Sequence, residues 1–440
     1  MSNNHTAVIA NVTNVRPHPN ADRLKIANCL GNQIVVGLNT QENDKGVYFN
    51  CDLQLSEVYA KKNDLVRRKD EDGKLAGGMF DANRRVRAQK LRGASSDGFF
   101  ASLQTLADAT GQTLNYFESM EVGHSFDEIK GVPVCNKYVT PSTSDAKNND
   151  DRLKSKDERV NTVMFHKHTD TAHFGRNTHL LKSDPNGMHV VVTSKMHGTS
   201  QRVGHVLTAR KLTLVEKIAS YFGADITTSE WTYLIGTRNV TLTPKKVQSL
   251  YHSAEFRDRA AKPFIGCLNK GETVYYEVVG YENGGKTIMN KVNIKKLKDK
   301  DFEKQYRRQD GSDEMIFSYG CLEGELAIYV YRITQTNEDG VSVDLSWSAV
   351  EQRCKEIGVK TVPVIRKTTV DESNFDSFLE WADSVADGPD VTDPSHVREG
   401  VCIRLEDGVT PTILKHKGFI FKVLEGIVKD TGVEDLEESS

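Results

Sequence analysis

Residues 136–160, NKYVTPSTSDAKNNDDRLKSKDERV, carry almost no apolar periodicity and are rich in Ser, Asn, Asp and Lys. That is the composition of a linker. It divides the 440-residue chain into two parts that must each bury a core of their own. Residues 1–135 hold short apolar runs broken by turns (TAVIANV, QIVVGL, GVYFNCDLQL). Alternation, β-branched residues and Gly/Asn breaks predict a small β-rich domain there. Residues 161–430 mix strands (MHVVVTS, TVYYEVVGY, ELAIYVYRI, GVCIRL, TILKHK) with helices over Arg210–Phe222, Val350–Gly358 and Phe375–Ala386. Strands and helices do not alternate regularly, so the fold class expected is α+β and not a doubly wound sheet. Residues 431–440 form an acidic, apolar-poor tail.

The bulk charge is small, 58 Lys and Arg against 61 Asp and Glu, a net of −3. With 38% hydrophobic residues and a mean hydropathy of −0.50, this is globular composition. It excludes a strongly basic nucleic-acid coat and a disordered chain. No run approaches the length of a membrane helix, and the start MSNNHTAVIANV lacks the features of a signal peptide. Seven dispersed cysteines without a CxxC predict a reduced, cytoplasmic protein. The average conceals two basic clusters, each with a local net of +6: Lys61–Arg92 and Lys286–Arg308. A basic cluster is usually a solvated face; two of them beside nucleotide chemistry point to phosphate contact.

Two lysine-centred motifs compete for that chemistry. Gly280-Tyr-Glu-Asn-Gly-Gly285-Lys286-Thr287 fits the P-loop pattern and comes directly after a strand. A P-loop needs a helix opening at its lysine, and TIMNKVNIKKLKDKD has weak apolar periodicity, so an ordinary Gly-rich turn is the stronger expectation. The rival is Ser194-Lys195-Met196-His197-Gly198-Thr199-Ser200, at the end of the strand HVVVT. Alone it is as readily a plain turn with an exposed lysine.

Five downstream segments change that balance. Lys195-Met196-His197-Gly198 resembles motif I of the covalent nucleotidyltransferases, in the KxHG form of RNA ligases. Gly236-Thr237-Arg238-Asn239 resembles the arginine motif next in order, and Tyr276-Glu277-Val278-Val279-Gly280 resembles motif III. Ile328-Tyr-Val-Tyr331-Arg332-Ile333 is similar to motif IIIa, Glu399-Gly400-Val401-Cys402-Ile403 to motif IV, and Lys415-His416-Lys417 to motif V. Six elements in order over about 220 residues are far more specific than any one of them. In the N-terminal part, His18-Pro-Asn-Ala-Asp-Arg-Leu24, Arg84-Arg-Val-Arg-Ala-Gln-Lys-Leu-Arg-Gly93 and Ser96-Asp-Gly98 resemble an OB-type tRNA-binding module. An OB-like module before a KxHG domain is similar to the Deinococcus-type ATP-dependent RNA ligases.

The resemblance implies an OB-like domain at 1–135, a linker at 136–160 and an adenylation domain of antiparallel sheets with flanking helices at 161–430. It implies Lys195 as the nucleophile that takes AMP from ATP. His197, Gly198, Arg238, Glu277, Tyr331, Lys415 and Lys417 would bind nucleotide, and Glu399 with Glu277 would support Mg²⁺ or Mn²⁺. Arg84, Arg85, Arg87, Lys90 and Arg92 are candidates for RNA contact. The reaction implied joins 3′-OH and 5′-phosphate ends of RNA, at a nicked duplex or an RNA–DNA hybrid, in RNA repair, by a monomer. Two positions depart from the pattern: Ser194 stands where many RNA ligases carry the Glu that reads adenine, and Arg332 where motif IIIa commonly has Asp.

Elementary chemistry agrees with these assignments. A free lysine, with a pKa of about 10.4, is protonated at neutral pH and needs activation by burial or nearby cations. Lys415 and Lys417 lie two apart on a strand and therefore share a face. The same period puts Tyr275, Glu277 and Val279 on one face, Tyr329, Tyr331 and Ile333 on another, and Glu399, Val401 and Ile403 on a third. Glu277 and Glu399 then interrupt apolar rows, which a carboxylate does only when it faces a cleft or is costly to bury. The histidines His166, His168 and His173 have no thiolate beside them, so no zinc site is expected. Only 23 residues come after Lys417, too few for the further domain of DNA ligases and capping guanylyltransferases, which rank lower. The remaining alternatives are a non-catalytic structured-RNA-binding protein with a degenerate catalytic body, and a P-loop NTPase using Gly280–Thr287.

Overall fold

The computed structural model describes residues 5–69, 75–139, 162–242, 254–406 and 408–430. It is an α+β molecule whose larger sheets are built mainly from antiparallel pairs.

In the N-terminal part, the run TAVIANV becomes the strand Ala7–Asn11, central in a four-stranded sheet with Lys45–Phe49, Phe99–Ser102 and Ser125–Phe126. Beside it is a three-stranded meander: Thr13–Pro17, Leu24–Cys29 and Asn32–Gly37. Two apolar clusters form there, one around Phe49, Tyr59 and Phe117 and a smaller one around Ile34 and Tyr48. The expected linker begins inside a strand, because Cys135–Lys137 pairs with Leu53–Leu55 and Tyr138 is buried. Residues 140–160 and the tail 431–440 lie outside the described residues.

Two sheets face each other in the body. One runs Ala172–His173, Thr412–Lys417, Gly400–Leu405, Met188–Lys195, Val364–Val370. The other has seven strands, with Thr199–Ala209, Glu272–Gly280 and Leu326–Thr336 at its centre. The turn Met196–Gly198 carries the chain from the first sheet to the second, so Lys195 ends one sheet at the mouth of the gap between them. The expected helices are Leu214–Tyr221, Trp347–Ile357 and Phe375–Ala386, each with apolar residues at helical spacing. A further helix, Phe419–Asp430, packs Phe421 and Leu424 into the main core.

Gly280–Thr287 is a turn. Tyr281 bridges to Thr287, the Glu282 N–H donates to the Lys286 carbonyl at 2.7 Å, and Lys286 is 73% exposed. A short strand, Val292–Asn293, comes next instead of a helix opening at Lys286. The P-loop reading is therefore wrong: without a helix N-terminus there is no phosphate cradle.

Candidate functional site

The registers of the first sheet assemble its lysines. Lys195 lies opposite Gly400, which lies opposite Lys417, and in the neighbouring row Thr193, Cys402 and Lys415 are aligned. Gly400 has φ +151°, and a Cβ there would stand 2.2 Å from the His416 carbonyl oxygen. This glycine opens the strand, and Glu399 lies just before it, outside the ladder. Glu399 consequently does not share a row with Val401 and Ile403, as strict alternation predicts; those two enter an apolar core while Glu399 turns to the lysines. Its carboxylate is 1% exposed, with Oε1 2.6 Å from Lys195 Nζ and 3.2 Å from Lys417 Nζ. Lys417 also donates to both Glu425 oxygens at 3.0 Å.

On the opposite sheet, Gly198 lets the turn press against the strand Glu272–Gly280. A Cβ there would meet the Val278 carbonyl at 2.7 Å and Val279 Cγ1 at 2.8 Å. Alternation also fails at Tyr331. The register shifts so that Tyr275 faces Arg332 while Tyr276 faces Val330, leaving Tyr331 as the extra residue of a bulge. Tyr329 and Ile333 remain in the core, whereas Tyr331 and Arg332 both line the gap. The Tyr331 hydroxyl bonds Ser200 Oγ at 2.8 Å and His168 Nδ1 at 3.2 Å. Arg332 is bidentate on Asp344.

The gap is a cavity of about 620 Å³. Lys195, Glu277, Tyr331, Arg238, Lys415 and Lys417 line it, and Arg238 is paired with Asp170. Glu399, His197 and Gly198 sit one layer behind. The His197 ring packs edge-on against Phe317 and Phe421, with Nδ1 3.9 Å from Glu399 Oε2. Ser194 is buried, its Oγ 3.5 Å from Asp390.

The cavity has a positive field. Burial, followed by Lys417, Lys195 and Arg238, brings the Lys415 ammonium down to about 8. Burial and then Lys137 and Lys415 bring His5 down to about 4. His173 lies well below the usual imidazole range through burial and the same lysine. Burial is the largest cause in all three, and Lys415 or its cationic neighbours add to it in each. For a divalent cation the donor chemistry fits: Glu399 Oε2 is buried without a hydrogen bond. Among the described residues no three His, Cys, Asp or Glu converge as a metal cage, so Glu399 and Glu277 would share such an ion with phosphate oxygens and water.

Sequence reasoning missed part of the wall. Asn50, Asp52, Asp97 and Lys137 of the N-terminal part line the same cavity. It missed Arg404 too, buried over Leu345 O at 2.5 Å and paired with Glu406. Period two could have found Arg404, since it alternates with the core residues Ile403 and Leu405. The basic candidates of the N-terminal part serve mostly as internal ties. Arg85 is 4% exposed and binds Asp52 at 2.7 Å and the Gly426 carbonyl at 3.1 Å, which corrects its expected place on an RNA-facing surface. Arg84 donates to the Leu55 carbonyl, Arg87 pairs with Asp81, and Lys90 with Asp299. Arg92 is exposed at a hairpin turn. The two halves of the N-terminal signature meet there, as His18 Nε2 lies 3.0 Å from the Leu91 carbonyl and Asn20 donates to the Arg92 carbonyl.

A strand-end lysine, a buried carboxylate and two further lysines on one wall of a two-sheet gap are chemistry that suits phosphate-bearing ligands. The RNA ligase family model matches residues 188–424, more than half of the chain, and the chain belongs to that family. Among solved structures it is similar to Naegleria gruberi RNA ligase. One variant of that protein, with ATP and Mn, is 18% identical at a TM-score of 0.56, covering 94% of this chain and 98% of that one. An apo variant is 17% identical at 0.55, covering 94% and 96%. The form with PPi is 17% identical at 0.53, covering 96% and 98%. A comparison with curated proteins gave no match. Among the described residues no helix is long and apolar enough to cross a membrane.

Proposed function

We propose that this chain is an ATP-dependent RNA ligase acting through a lysyl-AMP intermediate. The observation that carries the reading is Lys195 at the end of its strand, facing the cation-lined cavity and held by Glu399. Lys195 Nζ attacks the α-phosphorus of ATP; the N–P bond forms as the P–O bond to pyrophosphate breaks. AMP then passes to an RNA 5′-phosphate, and a 3′-hydroxyl displaces AMP to close the phosphodiester.

Lys415 and Lys417 hold the α-phosphate. Tyr331 stacks on the base and Arg238 holds ribose or phosphate, while Glu277 binds ribose or metal. His197 and Gly198 set the turn that carries Lys195. Glu399 and Glu277 would hold Mg²⁺ or Mn²⁺, which when bound would supply a Lewis acid that neutralises phosphate charge. Residues 1–135 act as an OB-like RNA-binding module and 161–430 as the adenylation domain, as in the Deinococcus-type ligases. The substrate is an RNA nick, or an RNA–DNA hybrid with RNA on its 3′-OH side. The enzyme works as a cytoplasmic monomer in RNA repair. The ATP- and Mn-bound forms of the Naegleria gruberi ligase support the choice of nucleotide and metal.

The test is incubation with [α-³²P]ATP and Mg²⁺. Label that survives denaturing electrophoresis but is released by acid, as a P–N bond is, is expected on the wild type and on Lys286→Ala, and none on Lys195→Ala. Label retained by Lys195→Ala overturns the assignment, absence of label on the wild type favours a non-catalytic RNA binder, and label from GTP alone favours capping chemistry.

A further inference from the structure

The Lys195–Gly198 turn is held from behind by a side chain that the proposed reaction does not use. The backbone N–H of His197 donates to the Tyr319 hydroxyl at 2.6 Å, across 122 residues of sequence. Tyr319 is 3% exposed and has φ +52°, a left-handed conformation that a bulky residue adopts only when its surroundings impose it. Those surroundings are specific. Ser318 Oγ and the Gly320 N–H, on either side of Tyr319, both donate to Asp393 Oδ2, at 2.7 and 3.0 Å. His396, fully buried, places its ring edge-on to the Tyr319 ring at 4.5 Å. Asp393 and His396 belong to a segment closed by a bridge between Pro389 and Val397. That segment also carries Asp390, which accepts from Ser194 Oγ.

The nucleophile is thus flanked on both sides by residues tied to one loop: Ser194 through Asp390, and His197 through Tyr319. We propose that Tyr319 is a positioning residue for the lysine nucleophile, fixing the turn after Lys195 by accepting the His197 amide hydrogen. The inference rests on the ligase reading for its catalytic consequence only. Without the hydroxyl, this bond is lost and the turn gains freedom where small displacements are most damaging to an in-line attack.

Tyr319→Phe keeps the ring and removes the bond. Single-turnover labelling with [α-³²P]ATP should show lysyl-AMP formation slowed by about 10- to 100-fold, with half-saturation by ATP within about two-fold of wild type. Hydrogen exchange should show the His197 amide exchanging faster, while thermal unfolding stays near wild type. Asp393→Asn, which loosens the 318–320 turn without altering Tyr319, should give the same split to a smaller degree. A wild-type labelling rate in Tyr319→Phe, or unchanged exchange at His197, overturns the proposal. So does a loss of rate accompanied by equal losses in ATP affinity and thermal midpoint, which marks a packing role. If the wild type forms no label, the ligase reading fails, and exchange at His197 still decides whether Tyr319 holds that amide.

Discussion

Lys415 illustrates how a charge that suits the chemistry works against the fold. Its ammonium is brought down to about 8, chiefly by burial and then by Lys417 and Lys195, from an ordinary value of 10.5. Below pH 8 it is charged both folded and unfolded, and the folded state bears the whole penalty. Between about 8 and 10.5 the unfolded chain holds the proton that the folded protein has released, so stability rises with pH in that window. Lys415→Met should therefore melt higher than wild type at pH 7. That margin should shrink as pH rises from about 8 to about 10.5, as thermal melts over that range will show. The same variant should form lysyl-AMP at least ~10²-fold more slowly, having lost a cation from the phosphate site. Gly198 is constrained by space. Gly198→Ala drives a methyl group into Val278 O and Val279 Cγ1. It should lower stability by ~1–3 kcal/mol in denaturant unfolding and abolish labelling.

At the scale of elements, the strand Leu326–Thr336 is decisive, because its bulge turns Tyr331 out of the core row and into the cavity. Tyr331→Phe keeps the ring and loses the bonds to Ser200 and His168, so ATP affinity should change little. Tyr331→Ala should weaken it by about 10-fold, the worth of one base–aromatic stack, read by nucleotide titration. The bulge also marks where sequence stops being informative. The strands Met188–Lys195, Gly400–Leu405 and Thr412–Lys417 were legible from alternation, and Phe375–Ala386 from helical spacing, because those patterns are local. The convergence of Lys195, Lys415 and Lys417 was legible from strand parity and the motif order. Tyr331 and Glu399 broke parity through a register shift and a strand-opening glycine, which depend on neighbouring strands. Arg85 was misplaced for the same reason, since its partner carbonyl at Gly426 is 341 residues away.

Across the whole molecule, the N-terminal part is fastened to the catalytic body by polar ties. Lys422 pairs with Asp97 with both side chains at most 15% exposed, Lys90 reaches Asp299, and Arg176 donates to the Thr6 carbonyl. Gly175 abuts the Leu30 carbonyl so closely that a Cβ would stand 2.1 Å from it. The basic cluster at 61–92 is thereby partly spent inside the molecule. Lys422→Met strands the Asp97 carboxylate and should lower stability by ~3–5 kcal/mol in denaturant unfolding. Adding Asp97→Asn should recover much of that loss. The helix Phe419–Asp430 gathers these threads: Phe421 packs on His197, Lys422 binds Asp97, and Glu425 holds Lys417. For a chain emerging from a ribosome this has a temporal meaning. Lys195 and the seven-stranded sheet are translated well before that helix, and the strand Thr412–Lys417 immediately before it, yet the cavity stays without its last supports until residues near 425 arrive. A chain cut short before that helix carries Lys195 without the side chains that complete its surroundings: Phe421 on His197, and Glu425 on Lys417.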